Sequence, residues 1–498
     1  MAMNEIVYAA SSGGSVATLT APLVAPLVVA VAAALAGWRR TVAWSAVAAA
    51  VVILVSGVFA AISTTAGSVL TVGSMLRADA LSAVMLLVIG GVAVIATWAG
   101  VSYIEQELAV GHTDARGARL YGVLVPLFLA AMVLAVLASD LGILWASIEA
   151  TTIVTAFLVG HRRSRASLEA TWKYVMICSV GIAMAYLGTV LVYYAARQAG
   201  IGSLDWAVLA AQADTLDPGV MRVAFALLVL GFGTKAGLVP MHSWLPDAHS
   251  QAPAPVSALM SGVLLSVAVY ALLRYRVIAV AALDPQFVRT LLLVVALASL
   301  ALAASMLLAQ RDYKRLLAYS SIEHMGLVML GVAAGTPLAI AAVLLHILGH
   351  GLGKAVLFCA SGQILAAEGT TQIAGVRGLL TRRPVLAGAF ALGLAALLGL
   401  PPFSLFVSEL AMARAAVDVG LGWAVAVALV LLLVVFVAVA ERTAGMVFGG
   451  EAGSSPPARS GAAAAPLVTG LVALAVIGVV GWPLEQLLRA AAAVAGTS

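Results

Sequence analysis

Apolar residues come in runs long enough to cross a bilayer, about 20 residues each, and short polar stretches separate them. Fourteen such runs centre near Val28, Val52, Val88, Ala130, Ser147, Gly181, Leu228, Val263, Val295, Leu327, Val343, Ala395, Leu429 and Ala473. The pattern predicts an all-α polytopic membrane protein of about 14 transmembrane helices, with little length left for a soluble domain. Two runs are interrupted. In GFGTKAGLVPMHSWLPDAHSQAPAPVS, Lys235 lies inside the apolar stretch from Val220 to Val239, and Pro240, Pro246, Pro253 and Pro255 follow. Proline removes backbone donors and breaks the helix, which membrane depth tolerates only where protein or water satisfies the freed groups. The second interruption is GLPPF, where Pro401 and Pro402 precede Glu409. A broken helix with a charge beside the break marks a transport site.

Composition agrees with the hydropathy pattern. The 498 residues are 63% hydrophobic and 9% charged, against about half apolar and a quarter charged in soluble domains. The net charge of +5 is spread thinly over loops and helix ends, so topology explains it better than a nucleic-acid partner. With the N-terminus outside, inner loops carry fifteen Lys or Arg, including Arg39, Arg40, Arg162, Arg163, Arg165, Arg311, Lys314, Arg315, Arg377, Arg382 and Arg383. The outer side carries eight, and Lys173, Lys235 and Lys354 fall within helices. The positive-inside rule then predicts a multi-pass protein of the cytoplasmic (inner) membrane with both termini outside. Only Glu5 precedes the first apolar run as a charge, so that run reads as a retained helix and not as a cleaved signal.

Cys178 and Cys359 are the only cysteines, with no CxxC pair, so neither an iron–sulfur cluster nor a zinc site nor a haem attachment is expected. There is no P-loop and no dinucleotide fingerprint. No cofactor and no metal are expected, no catalytic redox centre is assigned to this chain, and redox chemistry, if any, belongs to another subunit.

The ionisable residues inside spans form a short list. An unpaired Lys at mid-membrane costs about 2.5–3.5 kcal/mol on insertion scales, which makes Lys235 a functional candidate; the alternative is snorkelling from a helix end. Glu149 sits in the middle of LGILWASIEATTIVTAFLVG, and the alternative there is a neutral, hydrogen-bonded acid. Lys173 either belongs to the path or simply reaches the interface. Glu323 and His324 lie in SSIEHMG, and His346, His350 and Lys354 follow a four-residue step along one helix face. Such a stripe has little packing rationale, since each group needs a polar neighbour. Two His at i,i+4 could ligate a metal, but no carboxylate or Cys completes the set nearby in sequence.

Glu149 to Glu323 and Lys235 to Glu409 are the same offset of 174 residues. One shift lays acid on acid and broken-helix charge on broken-helix charge, which predicts an internal inverted repeat. The corresponding segments are 1–117 (three N-terminal helices), 118–276 (first repeat of five helices), 277–446 (second repeat) and 447–498 (a polar loop and the last helix).

The stretches TKAGLVPMHSWLPDAHSQAPAPVSALMSG, DYKRLLAYSSIEHMG, HILGHGLGKAVLFCASG and GLPPFSLFVSE resemble the antiporter-like proton-pumping subunits shared by respiratory complex I, group 4 membrane-bound hydrogenases and Mrp cation/proton antiporters. SSIEHMG and PPFSLFVSE are most similar to the hydrogenase-4 F-type subunit. The resemblance covers about residues 80 to 450 and implies a proton-translocating membrane subunit of a redox complex, or alternatively a subunit of an Mrp-type antiporter. Its partners would be other membrane and peripheral subunits, protons or Na+, and the bilayer. The positions matched to the family are Glu149, Lys235, His346, His350 and Glu409; together with the in-span Glu323, His324 and Lys354 they form the expected relay, and Lys173, His242, Asp247 and Ser266 are candidate accessory positions. Many relatives carry a lysine where this chain has Ser266, and Ser cannot store a proton near neutral pH. A carboxylate about 4 Å from a buried Lys contributes on the order of 4 kcal/mol at an effective dielectric near 20. A Glu149–Lys235 pair whose separation changes would therefore toggle proton release toward Glu409.

Overall fold

In the computed structural model, the described residues are 13–65, 67–450 and 461–496. The helices are α1 (Gly13–Ala36), α2 (Arg40–Thr65), α3 (Ala80–Val110), α4 (Ala115–Leu137), α5 (Leu141–Val159), α6 (Arg165–Gln198), the short α7 (Trp206–Ala211), α8 (Pro218–Lys235), α9 (Trp244–Gln251), α10 (Ala254–Leu259), α11 (Leu265–Ala282), α12 (Pro285–Ala309), α13 (Tyr313–Ala334), α14 (Pro337–Glu368), α15 (Leu379–Arg382), α16 (Pro384–Leu397), α17 (Ser404–Asp418), α18 (Gly422–Phe448), α19 (Gly461–Val479) and α20 (Trp482–Val494). Among the described residues, 12 spans are long and apolar enough to cross a bilayer, and the bent pair α19–α20 raises the number to 13. Each of the fourteen apolar centres lies in a helix. The run near Ala395 is divided between the short α16 and α17.

Capping residues set the span boundaries. Asp79, Asp114, Asp140, Ser164, Asp217, Asp284, Asp312 and Thr336 each accept a backbone N–H from the first turn of α3, α4, α5, α6, α8, α12, α13 and α14 respectively. Each such cap contributes about 1 kcal/mol and satisfies a donor that lipid cannot. Much of the small acidic complement is spent this way, which leaves few carboxylates for the interior.

The most enclosed spans are α13 and the α10–α11 unit, followed by α14 and α3, while α1, α2, α6 and α18 present apolar side chains outward. The long α14 is central and packs against α3, α10, α13, α16, α17, α19 and α20. A π-turn at Met260–Leu264 joins α10 to α11. There the backbones of Gly262 and Gly351 cross so closely that a Cβ on either would lie 2.8 Å from the other's carbonyl oxygen. The interior helices are also those that carry the polar stripe.

Both interruptions are present. α8 ends at Lys235, residues 236–243 are not helical, and α9 resumes at Trp244; α16 ends at Leu397 and α17 begins at Ser404. The freed backbone groups find partners in protein. Trp244 Nε1 donates to the Thr234 carbonyl at 2.9 Å, Val239 N–H donates to Ser299 Oγ at 3.1 Å, and Lys314 Nζ donates to the carbonyls of Ser250 and Ala252 at 2.8 and 3.0 Å.

Several expectations need correction. Lys314, expected among the inner-loop cations, is buried, and so is Arg274. Arg274 makes a bidentate pair with Asp79, both N···O distances being 2.7 Å, and its guanidinium lies 3.9 Å from the Trp206 ring. Burial pushes the Asp79 carboxyl up, but the Arg274 charge and hydrogen bonds hold it below the usual carboxylate range. A two-stranded hairpin, β1 (Leu70–Val72) and β2 (Leu76–Ala78), adds a small sheet to the otherwise helical chain. The limits at 117, 276 and 446 fall inside α4, α11 and α18, because the caps put the breaks in the loops instead. The last segment is two helices bent by 80°, with α20 lying against α3 and α14. Most of its polar loop, 451–460, lies outside the described residues.

Candidate functional site

The first cluster joins α5, α6 and α8. Lys235 is fully buried, and its Nζ donates to Thr152 Oγ1 at 2.9 Å and to the Tyr174 hydroxyl at 3.0 Å. Thr152 Oγ1 in turn donates to Glu149 Oε2 at 3.0 Å. Glu149 and Lys235 are therefore not the direct ion pair the sequence suggested, because Thr152 stands between them. Glu149 is also only half-buried and reaches the side of the isolated chain. Thr155 hydrogen-bonds the Tyr174 hydroxyl from below, which fixes the aromatic ring beside Lys235.

The second cluster joins α13, α14 and α17. The fully buried Lys354 Nζ donates to the Leu317 carbonyl at 2.7 Å and to Ser320 Oγ at 2.6 Å. One turn further along each helix, the His324 and His350 rings approach with centroids 5.0 Å apart. His324 Nδ1 and His346 Nε2 are 3.1 Å apart, and His346 Nδ1 is 3.0 Å from Ser408 Oγ. The proton positions follow from the partners. Ser408 Oγ spends its own proton on the Leu405 carbonyl at 2.9 Å, so it accepts from His346 Nδ1–H. His346 Nε2 is then the acceptor, and His324 Nδ1–H the donor. His324 Nε2 makes no well-formed hydrogen bond among the described residues; Glu323 Oε2 is 3.6 Å away and the Leu397 carbonyl also faces the ring. Glu409, the residue after Ser408, is partly exposed and lines a cavity of about 310 Å³ bounded by Leu327, Leu330, Phe406 and Leu432. Its carboxylate lies over Gly399 at the helix break (φ +63°), where any Cβ would collide with Oε2.

Between the clusters lies His249 of α9, which is not among the relay residues expected from the sequence. It is fully buried, neither ring nitrogen has a hydrogen-bond partner among the described residues, and it stacks on Phe358 of α14 at 5.3 Å. Trp244 links it back to Tyr174, with centroids 6.2 and 5.0 Å apart respectively. Ser266 instead turns its hydroxyl back to the Gly262 carbonyl of its own helix at 3.4 Å, while Ser261 and Ser321 meet at 2.8 Å across α13. The remaining accessory residues are peripheral. Lys173 is exposed and bridges Glu169 and Asp247 at 2.6 and 3.1 Å; Asp247 also pairs with Arg315, which ties α6, α9 and α13 together. His242 is half-buried in the first break, with Nδ1 unpartnered. Thr152, Tyr174, Ser320 and Ser408 were missed, although Thr152 stands one turn after Glu149 on the same face.

Residues 138–436 match the family model described as NADH:quinone oxidoreductase/Mrp antiporter, TM. The hydrogenase-4 component F homolog of Methylacidiphilum infernorum is 39% identical over 69% of this chain and 73% of its own length. Hydrogenase-4 component B of Escherichia coli is 33% identical over 67% of this chain and half of that protein. Among solved structures, a chain of the membrane-bound sulfane sulfur reductase, an archaeal respiratory membrane complex, matches with a TM-score of 0.86 at 25% identity, covering 97% of this chain and 98% of that one. A chain of the Mrp complex from Dietzia sp. matches with a TM-score of 0.85 at 25% identity and the same coverage. With more than half its length in the family model and a relative matched over most of its length, this chain belongs to the NADH:quinone oxidoreductase/Mrp antiporter membrane family.

Proposed function

We propose that the chain is a proton-translocating, antiporter-like membrane subunit of a redox-driven complex in the cytoplasmic membrane, with both termini outside. The observation that carries this reading is the directed series His324–His346–Ser408 beside Lys354 and Glu323, buried in an otherwise apolar core. A structural core has no use for such a series, because every buried polar group must be satisfied at its own cost. A proton delivered to His324 Nε2 can leave as a proton from His346 Nδ1, with each imidazole changing tautomer and no group moving far.

Glu149, Thr152 and Lys235 form the other station, and His249 with water is the crossing between them. Thr152 makes the Glu149–Lys235 coupling sensitive to small displacements of α5 against α8, since it must donate to one and accept from the other. Glu149 reaches the side of the chain, so a neighbouring membrane subunit can act on it directly. The energy enters through such neighbours, and the hydrogenase-4 relatives favour a redox complex. The likeness to the Mrp chain supports a second reading, a subunit of a multi-subunit cation/proton antiporter.

The test is Lys235→Met in the native complex reconstituted into vesicles. Met keeps the side-chain volume and removes the titratable head, so coupled proton movement is expected to fall to a small fraction of wild type in a protein that still assembles. Wild-type pumping by this variant would overturn the assignment. Co-eluting subunits with Cys-rich motifs identify the redox complex, whereas Na+-dependent exchange without them identifies the antiporter.

A further inference from the structure

Among the described residues, one set of side chains brings three metal-ligating atoms within 4.8 Å of one another: His324, His346 and Glu409. We infer that these three residues form a site for a zinc-class divalent cation, entered through the cavity that Glu409 lines. His324 Nδ1 and His346 Nε2 are already 3.1 Å apart. Two nitrogens on a tetrahedral Zn2+ with bonds of about 2.0–2.1 Å lie about 3.3 Å apart. The proton the two rings share occupies the place such an ion takes, so little movement of α13 against α14 is needed. Glu409 alone must swing inward, and as a partly exposed side chain at a cavity of about 310 Å³ it has room to do so.

The outer shell is built as well. A ligating imidazole needs an acceptor for its second N–H. His346 Nδ1–H has Ser408 Oγ at 3.0 Å, and His324 Nε2 has Glu323 Oε2 at 3.6 Å. On loading, the proton of His324 Nδ1 leaves, and Nε2 takes up a proton and turns it toward the Glu323 carboxylate. The two carboxylates, Glu409 as ligand and Glu323 behind His324, offset the 2+ charge, while the buried Lys354, which acts on both Glu323 and His324, opposes it. Three protein ligands leave the fourth position for water. The unpartnered Nε2 of the fully buried His324 is the orphan this arrangement satisfies. The ligands come from three separate helices, α13, α14 and α17, so no short sequence spacing announces them.

The test uses the full chain, free of any histidine tag, purified in detergent. Co2+ is the spectroscopic probe and Zn2+ the competitor. One Co2+ per chain is expected, with the intense visible bands of tetrahedral coordination, displaced by stoichiometric Zn2+. His346→Ala is expected to abolish the bands. Glu409→Gln, at the cavity rim where folding is least at risk, is expected to weaken binding at least tenfold, and Ser408→Ala about 10–100-fold as an outer-shell change. Lys235→Met, in the other cluster, should bind as wild type does. Absence of any tetrahedral Co2+ signal in wild type, or an unchanged signal in Glu409→Gln, overturns the site. Binding is read on the isolated chain, so the result is independent of whether the chain moves protons.

Discussion

At the scale of single residues, Thr152 has more to do than its chemistry advertises. Its hydroxyl joins Glu149 to Lys235, donating to the one and accepting from the other. Thr152→Val keeps the branched shape and deletes the hydroxyl, leaving Lys235 with Tyr174 alone. A loss of about 1–3 kcal/mol is expected from the unmatched buried group, together with proton movement reduced nearly as far as in Lys235→Met. Wild-type transport by Thr152→Val would show that the two charges do not act through this bridge. Glu323→Gln tests the neighbour of His324 in the same assay: Gln keeps the shape but cannot exchange a proton, and transport should fall severalfold or more. An unaffected rate would make Glu323 a packing group. Asp79 and Arg274 are of the opposite kind, a structural pair far from either cluster. Removing one partner of a buried pair costs about 3–5 kcal/mol, so Asp79→Asn should lower the melting temperature markedly at neutral pH. Because the folded-state carboxyl titrates below its usual value of 3.8, the pair's stabilisation is present above that value and is lost as pH falls through the folded one. The gap between Asp79→Asn and wild type should therefore be constant near neutrality and close below about pH 4.

At the scale of elements, the broken helix α8–α9 shows what was legible in the sequence and what was not. Lys235, the prolines after it and the need for a break could be read locally, since each is a departure from an apolar run. The partners that make the break tolerable could not, because Trp244, Ser299 and Lys314 reach it from within α9 or from α12 and α13. The same holds for the site. Its ionisable members stood out against 63% hydrophobic composition. Thr152, Ser320 and Ser408 did not, because many buried Ser and Thr among the described residues merely bond a carbonyl one turn back, as Thr64, Thr97 and Thr443 do. The offset of 174 residues likewise conceals a difference: Lys235 closes the helix before its break, whereas Glu409 lies within the helix after its break. A repeat aligned by the breaks and one aligned by the charges thus differ in register. Lys314 offers a test at this scale. Lys314→Met strips the Ser250 and Ala252 carbonyls of their donor, and at about 1–3 kcal/mol for each unsatisfied group it should lower thermal stability and raise hydrogen exchange across α9 before other segments. Uniform exchange across the chain would show that α9 holds itself without that lysine.

At the scale of the whole molecule, the fold redistributes the charges that set orientation. With Lys314 and Arg274 buried, the connections on one side still carry Arg39, Arg162, Arg163, Arg311, Arg377 and Arg383. That these connections share a side follows from the Asp312–Gln372 bridge and from Arg162 reaching Glu107 at the end of α3. The opposite connections are nearly free of cations: Arg77 lies in β2, and residues 138–140, 199–205, 212–217, 283–284, 335–336 and 419–421 hold none. They too are tied together, through the Leu76–Ala138 and Asp140–Asp205 bridges. In the orientation proposed above, the Arg-rich connections lie in the cytoplasm and the hairpin outside, as the positive-inside rule expects of so one-sided a distribution over short loops. The chain suits a labelling experiment, since Cys178 and Cys359 are both buried. Asp214→Cys and Arg116→Cys each place a thiol at an exposed position on opposite sides. In right-side-out vesicles, a membrane-impermeant maleimide is expected to label the thiol at 214 fully and the one at 116 only after the vesicles are opened. The reverse pattern would invert the molecule, and with it the direction in which Glu149, Lys235 and the histidine series would carry a proton.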